Sequence, residues 1–283
     1  MKCIDVDWIK KHPWDLKNAK TQTYEMCIEA VKKNGMLLGD VRFDELNLTK
    51  EQTYNLYLTA VKEYGYALEY VIEQTPEICL EAVRDRGYAL KYVNNQTDEI
   101  CMEAVRQDSL ALEDVIEQTP RICLEAVRNR GYVLKYVNNQ TDEICMEAVR
   151  ENGLALEYVN NQTDEICREA VKENGLALQF VEKQTEEICR EALKQDKHAI
   201  KYVIDKEKYL EEFNIKYLKK QGKVREVIAI KEDGRWLFIV GCQDNISKEI
   251  FIYRIYNEGG GFDPEKDINV HRQIYLNFLK EFE

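Results

Sequence analysis

A period of 22 residues governs this chain. The stretch QTPEICLEAVRDRGYALKYVNN begins at Gln74, and its relatives begin at Gln52, Gln96, Gln118, Gln140, Gln162 and Gln184, so seven copies cover residues 52–205. An eighth copy starts at Gln22 and carries an eight-residue insertion before Gln52. Residues 74–117 and 118–161 agree at 35 of 44 positions, the mark of a duplicated two-copy block. Segment 13–21 matches the last third of a copy, with Leu16 aligned to Leu90, and reads as the end of an N-terminal capping segment, 1–21. Self-similarity at this period means stacked units, because a 22-residue unit cannot bury its own apolar stripe.

The slots within a copy predict its local structure. Thr follows the leading Gln in all eight copies, and in most copies Pro or an acidic residue comes next. The threonine hydroxyl is suited to cap free amides, and Pro or a carboxylate suits a first helical turn. Ile78, Cys79, Ala82 and Val83 then form one apolar stripe of an amphipathic helix. Gly87 and its counterparts at 35, 65, 131, 153 and 175 are expected to end that helix in a left-handed turn, less comfortably where Ser109 and Lys197 replace Gly. A second, shorter helix follows on Ala89, Leu90 and Val93. The expected fold is therefore mainly α: an α-solenoid of eight short helix-turn-helix repeats over 22–205, rod-like or gently curved, with a small α+β module after it.

Cys27, Cys79, Cys101, Cys123, Cys145, Cys167 and Cys189 share one slot, leaving only Cys3 and Cys242 outside it. Copies of a slot one repeat apart are too distant for a disulfide, which needs Cα atoms within about 7 Å. The column reads as small apolar filler, with no disulfides. With no C-x-x-C pair, a zinc site is not expected. The Gln column reads as structural too, its amides serving loop backbone between copies.

The pattern E-A-V-[R/K]-x-x-G-x-A-L-x-Y, seen from Glu81 to Tyr92 and from Glu147 to Tyr158, resembles the repeats of domain of unknown function 4116. The likeness extends over about residues 22–205. It implies an all-helical repeat, met in bacteria, phages and large DNA viruses, and it carries over no catalytic residue.

Solenoids bind along exposed columns, and three columns are candidates. The first is aromatic: Tyr70, Tyr92, Tyr136, Tyr158, Phe180 and Tyr202 share a slot in which one copy holds Asp114. A sealed slot rarely accepts a lone carboxylate, so the row is expected to be partly exposed. Tyr66, Tyr88 and Tyr132 lie four residues earlier, hence on the same helical face. The plainer alternative is that the rings seal the seam between copies. The second column is ionic. A cation closes the first helix of every copy, from Lys32 to Lys194, and seven of the eight have Glu three residues earlier, which suits a solvated ion-pair lattice. Arg86 and Arg130 are additional and stand beside tyrosines, which makes Arg86, Tyr88, Tyr92 and Arg130, Tyr132, Tyr136 the leading local candidates, with Asp114 and Tyr158 in the same row. The third column is apolar at Leu58, Leu80, Met102, Leu124 and Met146 but basic at Arg168 and Arg190. It is either a sticky patch that ends partway or a half-buried position.

The net charge of −12 argues against nucleic acid, and no apolar run reaches the roughly 20 residues that span a bilayer. The charged N-terminal stretch MKCIDVDWIKKHPW lacks a signal-peptide core, so a cytoplasmic location is expected. Within the array the field changes sign: residues 96–117 hold one cation and seven anions, whereas 118–139 hold four and one. Such alternation serves partner choice.

Residues 206–221 read as a capping or linker helix, and 222–283 as a small α+β module. There VREVIAI, the turn KEDG and RWLFIVGC form a hairpin, and Ser247 caps a helix to about Asn257, a stretch whose alternation also allows a strand. Gly259–Gly261 break the chain, and a last helix runs from Asp267 to Phe282. Cys242, Asp244, His271 and Arg272 are the residue types of a nucleophile site, but two of them are adjacent on one helix and no phosphate-loop spacing is present. The expected protein is therefore not an enzyme and uses no cofactor. It binds a protein partner through the repeat surface or, alternatively, sequesters a small anionic aromatic ligand such as a nucleotide.

Overall fold

A computed structural model of the chain describes residues 4–222, 224–241, 243–257, 262–263, 268–269 and 271–282. Cys3, Cys242, Gly259–Gly261 and Asp267 lie outside the described residues. The chain divides into two compact units, Met1–Asn161 and Gln162–Glu283.

In the first unit each copy is an α-helix followed by a six-residue 3₁₀-helix. The α-helices Pro76–Asp85, Asp98–Gln107, Pro120–Asn129 and Asp142–Glu151 are capped by Thr75, Thr97, Thr119 and Thr141, as the Thr slot predicts. Their stripe is buried in full: Ile78, Cys79, Ala82 and Val83 are at most 4% exposed. The 3₁₀-helices Gly65–Tyr70, Gly87–Tyr92, Ser109–Asp114, Gly131–Tyr136 and Gly153–Tyr158 pack side by side.

Two expectations are corrected here. The second helix is 3₁₀, not α, so residues three apart eclipse each other. Tyr88 therefore lines up with Lys91 rather than with Tyr92. The repeat glycines are also not left-handed: among the described residues, positive φ is confined to Gly222, Gly234 and Gly241 for glycine and to Asn214, Asp233 and Asn245 otherwise. Glycine is demanded instead by close approach. A β-carbon on Gly87 would meet the carbonyl oxygen of Ala104 in the next copy at 2.6 Å, and Gly35, Gly65 and Gly131 face the equivalent alanine carbonyls.

The copy at 52–73 also departs from the pattern. Its helix begins at Lys50 rather than after Thr53, because Thr49 in the insertion and Gln52 at the head of the copy form a capping box. At the N-terminus, Val6–Lys11 is an α-helix capped by Asp5 and is followed by a 3₁₀-helix, Pro13–Asn18, with Leu16 fully buried. The capping segment is thus an abbreviated copy.

The glutamine column holds the copies together. Gln96 Nε2 donates to the carbonyls of Leu90 (3.4 Å) and Asp114 (2.8 Å), while its Oε1 accepts from Ile116 N (3.0 Å) and from the Cys101 thiol (3.6 Å). The cysteines of the column are free and buried. Burial raises their thiol pKa values, to about 12 for Cys27 and about 11 for Cys101 and Cys167.

In the second unit two further copies, with α-helices Asp164–Glu173 and Glu186–Gln195, precede an antiparallel sheet of order β1-β2-β3-β4. The strands are β1 Ile215–Leu218, β2 Val227–Glu232, β3 Arg235–Val240 and β4 Gln243–Ser247. The expected hairpin is present, turning at Asp233 and Gly234, both with positive φ. The expected 206–221 helix is not: Lys206–Lys208 is a single 3₁₀ turn and Ile215–Leu218 is an edge strand, because Ile215 is drawn into the core opposite Ile230. Ser247 does cap the Lys248–Asn257 helix. The last helix begins at Arg272, preceded by a two-residue ribbon that pairs Phe262–Asp263 with Ile268–Asn269. The helices cover a core of Val227, Phe238, Phe251, Ile255, Tyr275 and Phe278.

Candidate partner-binding face

The ionic column is a lattice that saturates itself. Arg106 Nε donates to Glu125 (2.9 Å), Arg128 Nε to Glu147 (2.8 Å), and Arg84 to both Glu81 and Glu103 (3.2 and 3.1 Å). Arg84, Arg106 and Arg128 thus link their own copies to the next while staying about half exposed, whereas Lys32, Lys172 and Lys194 pair with the Glu three residues earlier in the same copy. Solvent screening keeps exposed pairs of this kind weak. The apolar-to-basic slot is half-buried at Leu58, Leu80, Leu124, Met146, Arg168 and Arg190, and only Met102 is sealed.

The row of 3₁₀-helices in the first unit is different. Tyr88, Tyr92, Tyr132, Tyr136 and Tyr158 are half-buried, and Tyr70 is exposed. Tyr66 meets Tyr92 of the next copy edge to face at 6.3 Å. Lys91 Nζ lies over Tyr92 and Tyr66 at 4.7 and 5.4 Å, and Lys135 Nζ over Tyr136 and Tyr132 at 4.6 and 5.8 Å. The ring faces attract these ammonium groups through their quadrupoles. Burial holds the Tyr88 hydroxyl above its ordinary pKa, assisted by Asp108, Tyr136, Glu113 and Asp114. Asp114 is raised by burial and by Glu113 against the opposing pull of Lys91.

Arg86 and Arg130 occupy the N-cap position of their 3₁₀-helices. In five copies that position is Asn or Asp (Asn34, Asp108, Asn152, Asn174 and Asp196), whose side chain accepts a backbone N–H. Tyr64, Arg86 and Arg130 make no such cap. Those three copies are also the ones with tyrosine two residues on, at Tyr66, Tyr88 and Tyr132. Arg86 lies over Tyr64 at 5.6 Å and 3.6 Å from Asp85; Arg130 Nη1 donates to Tyr132 Oη at 3.1 Å and stands 4.0 Å from Asp108.

All eight residues singled out in the sequence thus fall on this row. Sequence reasoning missed the inter-copy loops, where Ile72 and Ile116 are 74% and 73% exposed. Ile72 borders a cleft of about 330 Å³ with Phe43, Leu46, Leu48 and Tyr57. The signal was available, since Asn94, Asn138, Asn160 and Glu182 fill the slot that Ile72, Ile116 and Ile204 share. Of the supposed nucleophile set, Asp244 is paired with Lys201, Arg272 stacks on Tyr256 at 4.4 Å, and Cys242 lies outside the described residues. No helix among the described residues is long and apolar enough to cross a membrane.

The family described as Domain of unknown function (DUF4116) matches three tandem stretches, 75–118, 120–162 and 163–207. The copies between residues 75 and 207 thus match that family's model, each match covering two 22-residue copies. No curated protein and no solved structure matches the chain.

Proposed function

We propose that this protein is a non-catalytic interaction scaffold, adaptor or inhibitor that docks a protein partner on the row of 3₁₀-helices. The carrying observation is the abandoned cap. Three copies forgo an Asn or Asp cap, worth about 1 kcal/mol, and place Tyr64, Arg86 or Arg130 there beside an additional tyrosine. A residue that lowers local stability while adding exposed aromatic and guanidinium surface is accounted for by binding. Tyrosine suits the role because it buries large area at low entropic cost.

The same residues motivate a small anionic aromatic ligand, but they are strung along successive copies rather than gathered round a cavity, which favours a macromolecular surface. A cytoplasmic location belongs to the same proposal and is supported by the seven reduced, buried thiols. The test is native mass spectrometry of the tagged protein isolated gently from its own host, with and without Tyr92→Ala plus Tyr136→Ala. A stoichiometric protein that co-purifies with the wild type and is lost in the variant is the expected result. A bound species of a few hundred daltons, or a partner indifferent to both tyrosines, overturns the reading.

A further inference from the structure

The last copy of the array shows what its 3₁₀ face does when a protein segment lies on it. On the Lys197–Tyr202 helix, Lys201 Nζ donates to Asp244 Oδ2 at 2.7 Å, and His198 Nε2 is 2.6 Å from Asn245 Oδ1. Asp244 and Asn245 belong to β4. A carboxylate and a neighbouring carboxamide are therefore read by two side chains three residues apart, which the 3₁₀ period places one above the other.

The same two slots recur in the first unit. Counting back by 22, Lys201 corresponds to Lys135 three intervals earlier and to Lys91 five intervals earlier, with Gln179, Glu157 and Glu113 in the copies between, and His198 corresponds to Tyr132 and Tyr88. Tyrosine, like histidine, offers a donor to a carboxamide oxygen. From 86 to 93 and from 130 to 137 the chain carries two cations and no acid, so these helices are basic, while the one between them holds Asp108, Glu113 and Asp114 without a cation. The ammonium groups also differ in the expected sense. Lys91 and Lys135 fold back onto Tyr92 and Tyr136 at 4.7 and 4.6 Å, whereas Lys201, with a carboxylate to meet, stands 5.6 Å from Tyr202.

We infer that Tyr88/Lys91 and Tyr132/Lys135 are two equivalent docking points for an acidic segment of a protein partner, each taking a carboxylate on the lysine and an adjacent amide oxygen on the tyrosine. This rests on the scaffold reading and names the partner's chemistry. The two points lie two copies apart, about 20 Å at ordinary helix-packing distances. An extended segment spans that with about six residues at roughly 3.3 Å each.

The test uses the full chain and three labelled peptides: two Asp-Asn pairs six residues apart, the same pairs two residues apart, and a six-spaced version with Lys-Asn pairs. The six-spaced acidic peptide is expected to bind at least tenfold more tightly than the close-spaced one, because only it engages both points. It is also expected to lose at least tenfold with Lys91→Glu plus Lys135→Glu, and to weaken several-fold with Tyr88→Phe plus Tyr132→Phe, which removes two hydroxyls and no bulk. An unchanged melting temperature of the exposed lysine variant shows that it folds. No binding at millimolar peptide, equal binding of the Lys-Asn version, indifference to both lysines, or full displacement by ATP at comparable affinity would each overturn the inference. If these fail while the co-purifying partner still depends on Tyr92 and Tyr136, the scaffold reading stands and only the acidic-segment chemistry falls.

Discussion

A β-carbon placed on Gly87 would stand 2.6 Å from the carbonyl oxygen of Ala104, which belongs to the next copy. The Gly87 N–H, in turn, donates to Gln107 Oε1 of that copy at 2.6 Å. The glycine is therefore the point at which one copy's backbone touches the next. Gly87→Ala is expected to force the copies apart and to lower stability by about 1–3 kcal/mol, the usual cost of overpacking a tight contact. Lys197→Ala, at the same slot in the last copy, should cost less than 1 kcal/mol, since no further copy follows it. Urea midpoints for the two variants, at constant m-value, decide the matter; equal losses would show that glycine serves the turn and not the contact.

Thr49, not Thr53, starts the Lys50–Glu63 helix. Thr49→Ala is expected to cost about 1 kcal/mol through the lost capping box, whereas Thr53→Ala, inside the helix, should change stability by less than half of that. Thr75→Ala, at the slot equivalent to Thr53, should behave like Thr49→Ala, because Thr75 is a true cap. Thermal melts of the three variants check the ordering.

Gln96 satisfies two carbonyls, one amide and one thiol. Gln96→Leu removes the side-chain partner of the Asp114 carbonyl and the Cys101 thiol, while the Leu90 carbonyl keeps the Val93 N–H, and it is expected to cost about 1–3 kcal/mol. Cys101→Ser keeps a donor to the Gln96 oxygen and should cost less. Hydrogen exchange at the Ile116 amide, which donates to Gln96, should rise sharply in Gln96→Leu and little in Cys101→Ser; protection retained in the former would show that the glutamine is dispensable.

The repeat was legible because its slots are dictated by contacts that recur with every copy: the Thr cap, the Ile-Cys-Ala-Val stripe, the Gln bridge. What was not legible was the kind of second helix. Six residues of G-x-A-L-x-Y satisfy either an α or a 3₁₀ turn, and the copies with Ser109 or Lys197 in place of Gly form the same 3₁₀-helix. That choice moved Tyr88 from the side of Tyr92 to the side of Lys91. The edge strand Ile215–Leu218 was hidden for a different reason. It lies within the charged stretch 206–221, which looks helical in isolation, and only pairing with Val227–Ile230 makes it a strand. The row itself was found from the lone Asp114, whereas the cap forfeited at Arg86 and Arg130 required knowing where the short helix begins.

His198 gives the last copy of the array a pH-dependent tie to the sheet. Its Nδ1 lies 2.9 Å from Asp196 Oδ1 and 3.6 Å from Glu232 Oε1, and its Nε2 2.6 Å from Asn245 Oδ1, so both ring nitrogens face acceptors. Burial opposes the charge, but the hydrogen bonds to Asn245 and Asp196 and the two carboxylates outweigh it and raise the pKa above the ordinary histidine value. Lys201, paired with Asp244, is the cation beside this cluster. A folded pKa above the unfolded one adds stability that is fully present below the unfolded value, near 6.5, and is lost as pH rises through the folded value. The tie should therefore be strongest in mild acid and weaken toward alkaline pH. Chemical denaturation of the wild type between pH 6 and 9 should show this decline, and His198→Gln, which keeps a donor but cannot titrate, should flatten it. A wild-type profile that rises over that range, or an unchanged slope in the variant, would mean that His198 is neutral in the folded chain and that Asp196 serves it only as a cap.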